Sequence, residues 1–128
     1  MRPSVVSLLL AMVSLGCHRA DIPPGKYFHG QPVEYWLEAI KSPNPQTRKK
    51  AADVLGNVGP IDPRAIPALI EAVRDKDPLV RDAAVLALSK IGPAANAAET
   101  ALQQATQDTD KTVRTHAAMA LERVRGIK

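Results

Sequence analysis

Few side chains in this chain have the type and spacing that chemistry needs. The three histidines are His18, His29 and His116, and Cys17 is the single cysteine. Zinc sites draw their Cys and His ligands from short-spaced pairs that converge on one point, and these positions offer no such set. A glycine-rich phosphate loop and a Gly-x-Ser-x-Gly nucleophile turn are both missing, so neither nucleotide binding nor acyl transfer has a carrier. The best carboxylate pair, Asp75 with Asp77, suits charge pairing and helix capping better than acid–base work. Three arginines remain, Arg48, Arg81 and Arg114, each 33 residues from the next. Guanidinium groups in register are either an anion site or three copies of one structural part.

The interval itself favours the structural part. Ala51, Ala84 and Ala117 follow it, as do Leu55, Leu88 and Leu121, and Val58, Ile91 and Val124. A period of about 20–50 residues marks units that bury their apolar face only against their neighbours. The fold expected is all-α, a short α-solenoid of three stacked helical hairpins. An arginine near the start of an alanine-rich helix is then half-buried, and a buried charge needs an opposite charge and hydrogen bonds. A carboxylate from the preceding turn is the expected supplier. Asp75 stands six residues ahead of Arg81 and Asp108 six ahead of Arg114. Arg48, Arg81 and Arg114 are therefore expected to be structural.

The elements that must hold these residues follow from the hydrophobic period. Val33, Trp36, Leu37 and Ile40 share one helix face, and Ile66, Leu69, Ile70 and Val73 repeat it. Glu99, Leu102, Gln103 and Thr106 are the weakened third copy, as a last repeat facing water requires. Asn44-Pro45 and Asp77-Pro78 open the second helix of their repeats, with a capping side chain before a proline; Asp110-Lys111 keeps the cap alone. Gly59-Pro60 and Gly92-Pro93 should stop it, with glycine as a left-handed cap. Asp62-Pro63 should open the first helix of repeat two, with Pro67 bending or tightening its early turns. The repeats span about residues 33–60, 61–93 and 94–128.

The N-terminus is a separate object. Val5 to Leu15 is an apolar run broken only by Ser7 and Ser14. It is too short for a bilayer span of about 20 residues and has the length of a secretory signal. Val13-Ser14-Leu15-Gly16-Cys17 resembles a bacterial lipoprotein signal. That resemblance implies cleavage before Cys17, lipidation of its thiol, and export to the cell envelope, on the periplasmic side or at the outer membrane. Residues 1–16 are thus read as signal and 17–32 as an extended, flexible tether rich in proline and glycine. Net charge is +4, but the densest basic run is only Arg48-Lys49-Lys50, so no nucleic-acid stripe is expected.

The segment Leu69 to Ala84, with Asp75 six residues before Arg81 and Val80 just before it, resembles a HEAT repeat, including the HEAT-like repeats of phycobilisome lyases. Asp108 with Val113-Arg114 fits the same hallmark. Ser42 and Thr47 depart from it in the first copy and leave that side of the ladder open. The resemblance covers about residues 31–128. It implies a polar ladder between neighbouring repeats, made by Arg48, Asp75, Arg81, Asp108 and Arg114, and a concave face, lined by the second helices, where partners bind. Some relatives attach bilins, an activity for which three repeats offer too small a cavity.

A helical wheel of the second helices turns Asp53, Leu86 and Met119 outward in one column. Lys50, His116, Lys90 and Arg123 flank it. This is the expected partner-binding surface, suited to an apolar protein segment with an acidic rim. Tyr27, Phe28, Tyr35 and Trp36 hold all four aromatic rings of the chain and either cover the open first end or anchor a partner. The function expected is an exported, lipid-anchored binding or scaffolding module without catalysis, cofactor, metal or small-molecule substrate. The alternative is a structural adaptor that docks by its solenoid ends into an envelope complex; a bilin-lyase-type subunit ranks last.

Overall fold

The computed structural model describes residues 27–127. The expected signal at 1–16, Cys17, His18 and the tether as far as Lys26 lie outside them.

Three 14-residue helices repeat one local solution at their starts: α2 at Pro45–Val58, α4 at Pro78–Ile91 and α6 at Lys111–Val124. Asn44 Oδ1 accepts the Gln46 N–H at 2.9 Å, Asp77 Oδ1 that of Leu79 at 2.8 Å, and Asp110 Oδ1 those of Thr112 and Val113 at 2.8 and 3.1 Å. Each cap satisfies donors that the first helical turn leaves open, and Pro45 and Pro78 sit where no donor is needed.

Shorter helices pair with these: α1 at Val33–Ala39, α3 at Ala65–Ala72 and α5 at Glu99–Ala105. α3 begins later than Asp62-Pro63 suggests. Asp62 Oδ1 accepts the Arg64 N–H at 3.1 Å, and the Ala65 and Ile66 N–H groups reach back three residues, to the carbonyls of Asp62 and Pro63. The entry is tightened as expected, and Pro67 falls in the first turn, where its missing donor leaves nothing unpaired. α5 follows a 3-10 helix at Gly92–Ala98, kinked at Ala95.

The helix ends differ from expectation at one glycine. Gly92 has φ 71° and Gly126 φ 73°, but Gly59 is right-handed, with φ −50° and ψ −39°. Its reason is space: a Cβ on Gly59 would lie 2.2 Å from Ile91 Cδ1. The same crowding holds at Gly56, where a Cβ would be 2.9 Å from the Ala87 Cβ. Small residues thus let α2 and α4 lie backbone to backbone.

The three hairpins stack into the short all-α solenoid expected. Leu55, Leu69, Leu88, Leu102, Val80 and Val113 are fully buried, with Ala51, Ala84 and Ala117 between them. In the third repeat Glu99, Gln103 and Thr106 stand where the second has Ile66, Ile70 and Val73, and Gln103 faces solvent. Across the first-helix side, the Arg64 guanidinium bridges Asp62 and Glu34 at 2.6 and 2.9 Å, tying repeat two to repeat one.

The tether ends sooner than Pro32. β1 at Tyr27–Phe28 and β2 at Gln31–Pro32 pair antiparallel, with His29 and Gly30 both at positive φ. Positive φ at both central residues is the requirement of a tight two-residue hairpin. Trp36 Nε1 donates to the Phe28 carbonyl at 2.9 Å, so the hairpin is fastened over the first end of the stack. Trp36 and Phe28 pack into the core; Tyr27 and Tyr35 stay exposed.

Leu88 lies at the centre of the stack with no exposed surface. Leu88→Ala should lower the unfolding free energy by about 2–5 kcal/mol, a large share of the stability of so small a domain. Chemical denaturation measures it; a midpoint equal to wild type would contradict the stacking register.

Candidate functional site

The ladder is built from a turn and a helix start. Asp75 Oδ1 accepts the Asp77 N–H at 2.9 Å, and Asp108 Oδ1 the Asp110 N–H at 2.8 Å, so each carboxylate is held by the turn that opens its second helix. Arg48 Nε and Nη2 meet Asp75 at 2.8 and 3.0 Å, and Arg81 Nε and Nη2 meet Asp108 at 2.9 Å each. The other edge of the fork faces backwards. Arg48 Nη1 donates to the carbonyls of Ser42 and Pro43, Arg81 Nη1 to those of Asp75 and Lys76, and Arg114 Nη1 to those of Asp108 and Thr109.

This arrangement corrects the expected source of the carboxylate. The preceding turn supplies carbonyls, and the carboxylate comes from the next repeat. Ser42 therefore serves the first repeat: its carbonyl accepts from Arg48 and its hydroxyl accepts the Asn44 N–H at 3.2 Å, with no carboxylate needed for either. The incomplete end is Arg114, whose Nε and Nη2 meet no carboxylate among the described residues.

Electrostatics follow the geometry. Burial is the largest influence on Asp75 and on Asp108 and opposes their ionisation. Hydrogen bonds from Arg48 or Arg81, together with the turn N–H, outweigh it and hold both carboxyls below the ordinary range. The same hydrogen bonds push Arg48 and Arg81 upward against desolvation. Arg48 is only 5% exposed. These are closed, bidentate pairs with no vacancy for a substrate anion.

The expected partner surface is brought together in part. Leu86 is 45% and Met119 51% exposed, and Asp53 is exposed beside them in the column. The 33-residue offset sets side chains next to each other, as the hydrogen bond from Lys90 Nζ to Asn57 Oδ1 illustrates. Asp53 is paired with Lys49 at 3.0 Å. His116 is half-buried, with Nδ1 2.6 Å from Asp82 Oδ1. Lys50 stands apart from the others, its Nζ 5.9 Å from the centroid of the Trp36 ring.

Met119 and Arg123 also line an open groove of about 610 Å³ that the column did not reveal. Ser89, Gly92 and Pro93 form its other wall, and Ile127 its end. Asp82 was missed because it lies 34 residues from His116, one step off the repeat. The groove was missed because it depends on where the chain turns after α4 and α6.

Among the described residues, no three His, Cys, Asp or Glu side chains converge as a metal site requires, and no helix is long and apolar enough to cross a membrane. The family model for HEAT repeats matches residues 33–122. No curated protein matches the chain.

The carboxyls of Asp75 and Asp108 titrate lower in the folded chain than the roughly 3.9 of an unfolded aspartate. Their contribution to stability is present above that value and is lost as pH falls through the folded values. Asp108→Asn should therefore be less stable than wild type near neutral pH and lose less on acidification from about pH 5 to pH 2. Urea midpoints across that range measure this; parallel curves for the two proteins would contradict it.

Proposed function

The chain belongs to the HEAT-repeat family, and from that premise we propose that it is a non-catalytic protein-binding or scaffolding module whose partner docks on the second-helix face. HEAT repeats generally serve as protein-interaction or scaffold modules. The observation that carries the reading here is the exposure of Leu86 and Met119 in one column of adjacent repeats. Exposed apolar side chains in register, rimmed by Lys90 and Arg123, suit an apolar segment with acidic flanks. The groove beside Met119 gives such a segment depth. Asp53 pairs with Lys49, His116 with Asp82, and Lys50 lies over the Trp36 ring, so these three contribute less. Among the described residues Lys90 bonds only the neutral Asn57 and keeps an uncompensated charge.

The proposal extends to where the module works. Residues 1–16 act as an export signal and Cys17 as the lipid attachment point, placing the repeats at a bacterial envelope membrane. Support comes from the apolar run Val5 to Leu15 immediately ahead of Gly16-Cys17. More than one acyl chain would make the anchoring stable, at about 0.8 kcal/mol per buried methylene.

Photo-crosslinkers placed at Leu86 and at Met119 in cells should trap one common protein, and Lys90→Glu or Arg123→Glu should reduce that adduct several-fold. An adduct equally strong from a crosslinker at Gln103, or unaffected by charge reversal, would reject this face. For the anchor, intact mass should show a chain beginning at acylated Cys17, and Cys17→Ala should move the protein out of the membrane fraction. An unmodified chain in the soluble fraction would remove the anchor from the proposal.

A further inference from the structure

We propose that the C-terminal end of the stack is a docking site for an acidic turn of another protein, with Arg114 as the guanidinium that takes its carboxylate. Arg114 is prepared as its two counterparts are. Its Nη1 donates to the carbonyls of Asp108 and Thr109 at 2.8 and 3.1 Å, as Arg48 and Arg81 do to the turns before them. In those two, Nε and Nη2 close on the carboxylate of the following repeat. In Arg114 the same two groups have no partner among the described residues. The fork is thus aimed by its anchored edge, with the other edge open to a bidentate acceptor.

The surface around it is built like the interior faces. Ala118 is exposed, whereas its register mates Ala52 and Val85 are fully buried by the next repeat. Leu121 is half-buried, whereas Leu55 and Leu88 have no exposed surface.

Two features decide what the occupant is. Glu122 stands in the register of Gly56 and Ser89 and puts a longer, charged side chain where those two are small. An occupant at normal repeat spacing would have to accommodate that carboxylate along the C-terminal half of α6, whereas the half near Arg114 is free of it. Secondly, another copy of this chain stacked head to tail would present Ser42 where Asp75 and Asp108 stand, and so would bring no carboxylate. The chemistry that fits is an aspartate in a short turn opening a helix, its carboxylate held by the N–H two residues on, as Asp75 is held by Asp77. This site shares with the Leu86–Met119 face only Glu122, which also lines its groove; neither test changes that residue, so the two proposals succeed or fail separately.

The test uses the full chain labelled with 15N and, as probe, a synthetic peptide of residues 72–82, which carries such a turn. The Nε–H resonance of Arg114, identified by its loss in Arg114→Lys, should shift saturably toward those of Arg48 and Arg81. The Asp75→Asn form of the peptide should bind about tenfold more weakly or worse. No movement of that resonance, or an equal response to both peptides, overturns the proposal. So does self-association, seen by sedimentation and abolished by Arg114→Gln, because the occupant would then be a second copy.

Discussion

A guanidinium between packed helices has donors on two edges, and one turn of chain can fill only one of them. Arg48 and Arg81 meet this by reaching two ways. Nη1 closes on the carbonyls of the turn behind, while Nε and Nη2 close on an aspartate of the repeat ahead. A buried arginine left half-paired would be strongly destabilising. Each repeat is therefore incomplete until its successor is stacked on it, and the ladder fixes the spacing and rotation between hairpins.

The other features serve that spacing. The Asx caps at Asn44, Asp77 and Asp110 start the second helices at one place relative to the ladder. The carboxylates of Asp75 and Asp108 are held in position by the N–H groups of Asp77 and Asp110, so one three-residue turn both opens a helix and presents a ligand to the repeat before it. Gly56 and Gly59 let neighbouring helices approach to the distance the bidentate pairs require. At the first end no carboxylate has to be supplied to an earlier repeat, and Ser42 suffices; a small hairpin fastened to Trp36 covers the core instead.

What was legible in the sequence is what repeats. The columns at Arg48, Ala51, Leu55 and Val58 carried the helix pairs and the core, and the Asp–Arg spacing marked the ladder residues. Which repeat each aspartate serves was not legible in the spacing, because six residues are compatible with a pair inside one repeat or between two; only the likeness to HEAT repeats pointed to pairs between neighbours. Gly59 was misread for a related reason: a glycine before a proline is a common helix stop, and the close approach of Ile91 is a tertiary fact. The contact between His116 and Asp82 breaks the 33-residue step and escaped column matching. The hairpin at 27–32 looked like linker because two-residue strands are too short to show alternation.

The separation of roles follows from the same constraint. Arg48 and Arg81, with Asp75 and Asp108, are used up within the stack, so the partner sites proposed above lie elsewhere: at Leu86 and Met119, in a column where the repeats differ, and at the open edge of Arg114. The account stands on the claim that the inter-repeat pairs couple neighbouring hairpins. A double-mutant cycle of Arg81→Gln and Asp108→Asn, read by chemical denaturation, tests this most directly. The account predicts strong non-additivity, with a coupling on the order of 1 kcal/mol or more between the two sites. Additive losses would contradict it and leave the stack held by its apolar core alone.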